Sequence, residues 1–152
     1  MTASGRFVAD TNVLVSFVLR PNSTPGRAVT TALLDHLMVF SETTYPELDQ
    51  VLMRSKFDRY VSRRQRRTAL RLFRDAAVHV ETSEVIQACS DPRDDRILEA
   101  AVAGGAKLIL SGDKALLELN PFRDIAIQTP AEYLQQVRGQ NASVPDEGTA
   151  PS

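Results

Sequence analysis

Residues 6–12 read RFVADTN, and residues 13–19 continue VLVSFVL. A short apolar run, Phe7-Val8-Ala9, stops at a carboxylate, a hydroxyl and an amide before apolar residues resume. A run this short, bounded by polar residues, fits a buried strand. An abrupt polar stop then has two readings. Asp10, Thr11 and Asn12 form either a plain turn or one edge of a functional site. The choice depends on where the chain's other polar groups fall.

The same pattern repeats downstream. Short apolar runs at 37–40 (LMVF), 77–81 (AVHVE), 107–111 (KLILS) and 125–129 (IAIQT) read as four further strands. Between them lie stretches with helical periodicity: 12–20, 26–36, 44–55, 62–76, 91–106, a short DKALLEL and a closing 130–137. In the second helix Val29, Ala32, Leu33 and Leu37 are expected on one face. In the fourth, Ala69, Leu70, Phe73 and Ala77 form the expected stripe. Strands alternating with helices predict a parallel five-stranded sheet covered on both faces. Residues 1–138 form the expected domain. Residues 139–152 lack an apolar period and are expected to be a disordered tail.

The 152 residues suffice for one domain with a proper core. A single cysteine, Cys89, excludes an internal disulfide and a cysteine-rich zinc site, and two histidines, His36 and His79, make an imidazole-based metal site a poor fit. No apolar stretch is long enough to span a bilayer, and the N-terminus has no apolar signal core, so a cytoplasmic location is expected. Cys89 and His79, with Met38, Met53, Phe57, Tyr60 and Tyr133, are read as packing residues.

In a parallel sheet of this kind, ligands bind beyond the carboxyl ends of the strands. Asp10 lies there. A crossover helix runs back along its strand, so its N-terminus lies at that edge too. Glu47, Asp91, Asp94 and Asp95 fall in first helical turns, and Asp113 directly follows the fourth strand. Each has a structural explanation. Thr44 to Glu47 has the form of a capping box, Asp91-Pro92 that of an N-cap and first helical residue, and Ser111-Gly112-Asp113 that of a turn. Together, however, like charges crowded at one edge repel. A divalent cation resolves the conflict, because hard cations take carboxylate oxygens, and such ions can activate water against a phosphodiester. Thr11, Asn12 or Ser111 could orient a carboxylate or hydrogen-bond the phosphate.

Four segments, VADTN, SETTYPEL, DPRDDRILEAA and LILSGDKALL, resemble in order the acidic motifs of PIN-domain ribonucleases, most nearly the VapC-like toxins of bacterial toxin–antitoxin systems. The resemblance spans roughly residues 6–130. It implies a three-layer α/β/α sandwich around a parallel five-stranded sheet. It further implies RNA cleavage dependent on magnesium or manganese, a small antitoxin partner and a homodimer. Carried over residue by residue, the acids are Asp10, Glu47, Asp94 or Asp95, and Asp113, with Thr11, Asn12 and Ser111 in support. Ser111 stands where threonine is more usual and keeps the hydroxyl.

Charge is unevenly spread. Residues 54–74 hold nine basic side chains against one acid, Asp58, while the rest of the chain holds nine bases and eighteen acids. Arg63, Arg67 and Arg71 recur at helical spacing opposite the apolar stripe and are the expected RNA-binding residues; a solvated helix face is the alternative. A phosphatase of the haloacid-dehalogenase type also starts from a strand-end aspartate, but it needs an acid two residues later, where this chain has Asn12. A non-catalytic RNA-binding module would not need acids at all four motifs. A nuclease that processes RNA without being a toxin remains the nearest alternative.

Overall fold

The structure is a computed structural model and describes residues 5–143. Five strands, β1 (Gly5–Ala9), β2 (His36–Ser41), β3 (Val78–Val80), β4 (Leu108–Leu110) and β5 (Ala126–Gln128), form one sheet. All four pairings are parallel, and the strand order is β3-β2-β1-β4-β5. The order reverses between β1 and β4. A crevice therefore opens at their carboxyl ends, the topological switch point of such sheets.

Successive strand residues point to opposite faces, and the two cores follow that alternation. Phe7, Ala9, Met38, Phe40, Leu108 and Leu110 face the helices α1 (Thr11–Leu19), α2 (Thr24–Asp35), α3 (Thr44–Leu52), α4 (Arg63–Ala76) and α7 (Pro130–Ser143). Val8, Val39 and Ile109 face α5 (Pro92–Ala103) and the short α6 (Lys114–Leu117). The architecture is a three-layer α/β/α sandwich, as the alternation of elements predicts. α5 lies close on the sheet: a Cβ on Gly104 would come within 2.6 Å of Val39 Cγ1. Gly105 then ends the helix at φ 66°, in the left-handed region that glycine enters without steric cost.

Several boundaries differ from the sequence reading, each for a local reason. α2 begins at Thr24, because the Ser23 hydroxyl accepts the Gly26 N–H at 3.2 Å. It ends at Asp35, so Leu37 belongs to β2 and not to a helical face, and Leu33 and Leu37 stay 38% and 43% exposed. α3 stops at Leu52, after which a 3-10 turn, Ser55–Phe57, leads to α4. Of the expected packing residues, Met38 and Tyr133 are buried and Met53 and Phe57 partly so, but Tyr60 is 66% exposed, with Arg59 over its ring. His79 stacks on Phe40 and Cys89 packs against the core beneath α5. α7 continues past residue 138 to Ser143; the rest of the expected tail lies outside the described residues. No helix among the described residues is long and apolar enough to cross a membrane.

Candidate active site

The pocket at the switch point is lined by Asp10, Thr11, Asn12, Glu47, Asp91, Asp94 and Asp113, together with Val51, Ile97, Arg54 and Arg93. Its acids come from separate elements. Asp10 follows β1, Glu47 lies in the first turn of α3, Asp94 in that of α5, and Asp113 just beyond β4.

Asp10 has two tasks. Its Oδ1 accepts the Val13 N–H at 3.0 Å and so caps α1, while its Oδ2 accepts the Ser111 hydroxyl. Burial pushes its pKa up, and those hydrogen bonds pull partly against the rise. Ser111 is fully buried and also accepts the Asp113 N–H at 2.9 Å. It therefore joins the ends of β1 and β4 and orients Asp10, and it is out of reach of a phosphate. Thr11 and Asn12, in contrast, line the pocket. Asp113 caps α6 by accepting the Ala115 N–H at 2.8 Å. Structural and site readings thus apply to the same carboxylates, since one oxygen can cap a helix while the group still faces the pocket.

The capping box expected at Thr44–Glu47 does not form. Thr44 N–H donates to Ser41 Oγ at 3.1 Å, and Ser41 N–H donates back to Thr44 Oγ1 at 2.8 Å. With the backbone donor already satisfied, Glu47 accepts no side-chain hydrogen bond among the described residues and faces the pocket. Asp91 does behave as an N-cap. It accepts the Arg93 N–H at 2.9 Å and also holds the Arg93 guanidinium, with Nη2 at 3.0 Å.

The adjacent acids Asp94 and Asp95 are equally buried but turn apart. Asp95 Oδ1 accepts the N–H groups of Ala88 at 3.0 Å and Cys89 at 2.8 Å, which pins the loop before α5. Asp94 lines the pocket beside Asp113. Its pKa rises to about 6, first from burial, then from the charges of Asp113 and Asp91 and a hydrogen bond shared with Asp113. Cys89 is an inert thiol, its pKa raised to about 11, mainly by burial.

The arginines of α4 are less free than their number suggests. Arg66 is fully buried. Its guanidinium donates to the carbonyls of Val61 at 3.0 Å, Leu52 at 2.9 Å and Arg54 at 3.2 Å, and pairs with Asp58. Arg63 and Arg67 approach Asp58 at 3.7 Å and Asp49 at 3.4 Å, and Arg71 donates to Thr68. None of Arg63, Arg67 and Arg71 lines the acidic pocket, whereas Arg54 and Arg93 do. In the sequence, Arg54 and Arg66 stand out only as members of the basic run. The position of Arg66 four and seven residues before Leu70 and Phe73, on the buried face, is the available signal for its burial.

Among the described residues, no three acidic, imidazole or thiol side chains already converge into a finished metal cage. The donor set is nonetheless all oxygen and partly unpaired, and its burial, followed by its crowding, raises the pKa of Asp94. That is the chemistry of a site for a hard cation which keeps several of its waters.

A family model described as PIN domain matches residues 6–115. The chain is 24% identical over 141 residues to the uncharacterized protein MJ1680 of Methanocaldococcus jannaschii, covering 86% of this chain and 90% of that protein. Among solved structures it resembles VapBC2 from Rickettsia felis bound to a DNA fragment from their promoter. The TM-score is 0.53 and the identity 11%, over 82% of this chain and 98% of that one.

Proposed function

Because the chain belongs to the PIN-domain family of nucleases, we propose that the acidic pocket cleaves RNA with magnesium or manganese, and that the protein is the toxin of a toxin–antitoxin pair. One observation carries this reading: Asp10, Glu47, Asp94 and Asp113 reach one pocket from four separate elements. Asp94, which lines the pocket, is proposed as the third acid in preference to Asp95, whose Oδ1 accepts two backbone N–H groups.

In this mechanism Asp10, Glu47, Asp94 and Asp113 would hold the cation. The chemistry supplied by such an ion is water activation and stabilisation of charge developing on the phosphodiester. Ser111 keeps the Asp10 carboxylate turned toward the pocket. The Ala115 N–H does the same for Asp113. Thr11 and Asn12 offer the phosphate a hydroxyl and an amide donor. Asn12 also stands against the phosphatase alternative, because it cannot protonate a leaving group. Arg63, Arg67 and Arg71 remain exposed and are proposed to meet RNA phosphates further along the strand. The likeness to a VapBC complex supports a small antitoxin partner, and a homodimer is proposed by analogy with the family alone.

The test is cleavage of single-stranded RNA, with DNA of the same sequence alongside. EDTA should abolish cleavage and manganese should restore it; full activity in EDTA would overturn the site. For the toxin role, expression should arrest growth, and co-expression of a small protein from the adjacent reading frame should relieve the arrest. Cleavage without growth arrest would favour an RNA-processing nuclease.

A further inference from the structure

Two arginines line the acidic pocket, and they differ in what they do there. Arg93 is bound to Asp91 through its guanidinium. Arg54 is exposed, and its side chain makes no ion pair or hydrogen bond among the described residues. Its backbone is the opposite of free. The Arg54 carbonyl accepts the Phe57 N–H at 3.1 Å and Arg66 Nη1 at 3.2 Å. Arg66 Nη1 also takes the Leu52 carbonyl at 2.9 Å, so one buried guanidinium spans the residues that end α3 and begin the 3-10 turn.

A cation placed beside several carboxylates would normally pair with one. Left unpaired, it opposes binding of a metal cation and gains nothing in return, unless an anion comes to the same rim. A phosphate is the anion the proposed reaction brings. Arginine suits it, because its planar fork matches phosphate oxygens two at a time. A fixed backbone with a free side chain also lowers the entropy lost when that interaction forms.

We infer that Arg54 grips a substrate phosphate at the rim of the acidic pocket, from a backbone whose carbonyl is held by Arg66. This rests on the nuclease reading above and adds to it the group that seats the strand. The arginines of α4, paired with Asp58 and Asp49 or turned to Thr68, contribute less.

The experiment is anisotropy of a fluorescein-labelled single-stranded RNA with the full chain in calcium, at several salt concentrations. Arg54→Gln should weaken binding about tenfold, as expected when one charge-assisted hydrogen bond is removed, and lower the salt slope by about 0.7. Arg54→Lys should keep the slope and lose part of the affinity. Unchanged affinity and slope in Arg54→Gln would overturn the inference. A second readout is cleavage in manganese. Arg54→Gln should raise KM about tenfold with kcat within about threefold, and should need no more manganese than the parent. A higher manganese requirement would instead make Arg54 an organiser of the acids and would also overturn the inference. If the parent fails to cleave RNA in manganese, the nuclease reading falls, while the binding arm still decides the role of Arg54.

Discussion

The carboxyl edge of the sheet and helix α4 both crowd like charges, and they treat them differently. On α4, Arg66 is sunk onto three carbonyls and Asp58, while Arg63 and Arg67 approach acids from neighbouring segments. At the sheet edge, Glu47 and Asp94 have the charge of Arg93 nearby, but its guanidinium is held by Asp91; the pKa of Asp94 is pushed to about 6, first by burial and then by the charges of Asp113 and Asp91. Charge density alone therefore does not mark a site. Charge that the fold leaves uncompensated does, because burying or crowding a charge costs free energy that only a ligand can offset.

The strongest attempt to break this contrast is Asp10→Asn. Asparagine still caps α1 and can still meet Ser111, so stability should change by no more than about 1 kcal/mol. Manganese-dependent RNA cleavage should fall by orders of magnitude, since metal charge stabilisation is worth several kcal/mol. A mutant that melts earlier yet cleaves normally would reduce the opening RFVADTN to a turn.

Arg66→Met asks the same question of the other region. It takes the guanidinium donors from the carbonyls of Leu52 and Val61, leaves the Arg54 carbonyl with the Phe57 N–H alone, and leaves Asp58 without its buried partner. Urea unfolding should show a loss of about 3–5 kcal/mol. Arg66→Lys should lose less. A neutral outcome for Arg66→Met would mean that α4 holds its position without this clasp.

Asp94 and Asp95 sharpen the comparison within one helical turn. In metal-free protein, the raised pKa of Asp94 means that its ionised form opposes folding. That penalty is absent below the ordinary carboxyl value of 3.8 and complete above about 6. Relative to the parent in EDTA, Asp94→Asn should therefore gain stability as pH rises through that window, by roughly 1–3 kcal/mol, while losing cleavage in manganese. Asp95→Asn should instead cost about 1–2 kcal/mol, because two backbone N–H groups lose a charged acceptor. Melts at pH 4 and pH 8 (roughly either side of the window) distinguish the pair. Equal behaviour would erase the distinction drawn between them.

The smallest effect is expected on the solvent face of α4. Changing Arg63, Arg67 and Arg71 together to Gln should leave stability nearly unchanged, each exposed pair being worth about 0–1 kcal/mol. RNA affinity should drop similarly across sequences, with the salt slope reduced by at most about 0.7 for each phosphate no longer neutralised. An unchanged slope would make this face a solvated surface or the docking place of an antitoxin.

The residues themselves determined the layered α/β fold, because apolar runs at strand length and stripes at helical spacing are properties of the chain. They also determined that Asp10, Glu47, Asp94 and Asp113 share one edge, since parallel topology sends strand ends and the starts of the following helices to the same side. Tertiary packing decided the rest. Whether Asp94 or Asp95 meets the pocket depends on the rotation of α5 about its axis, and that is fixed by Ile97, Leu98, Ala101 and the close approach of Gly104 to Val39. Glu47 makes no capping bond to Thr44 because Ser41, from the preceding strand, already accepts the Thr44 N–H. Arg66 and Arg54 read as two of nine basic residues until the turn after α3 brings three carbonyls to one and the acidic pocket to the other. A charge's neighbours along the chain set its propensity, but its partners across the fold set its electrostatic role, and those partners exist only once the layers have packed.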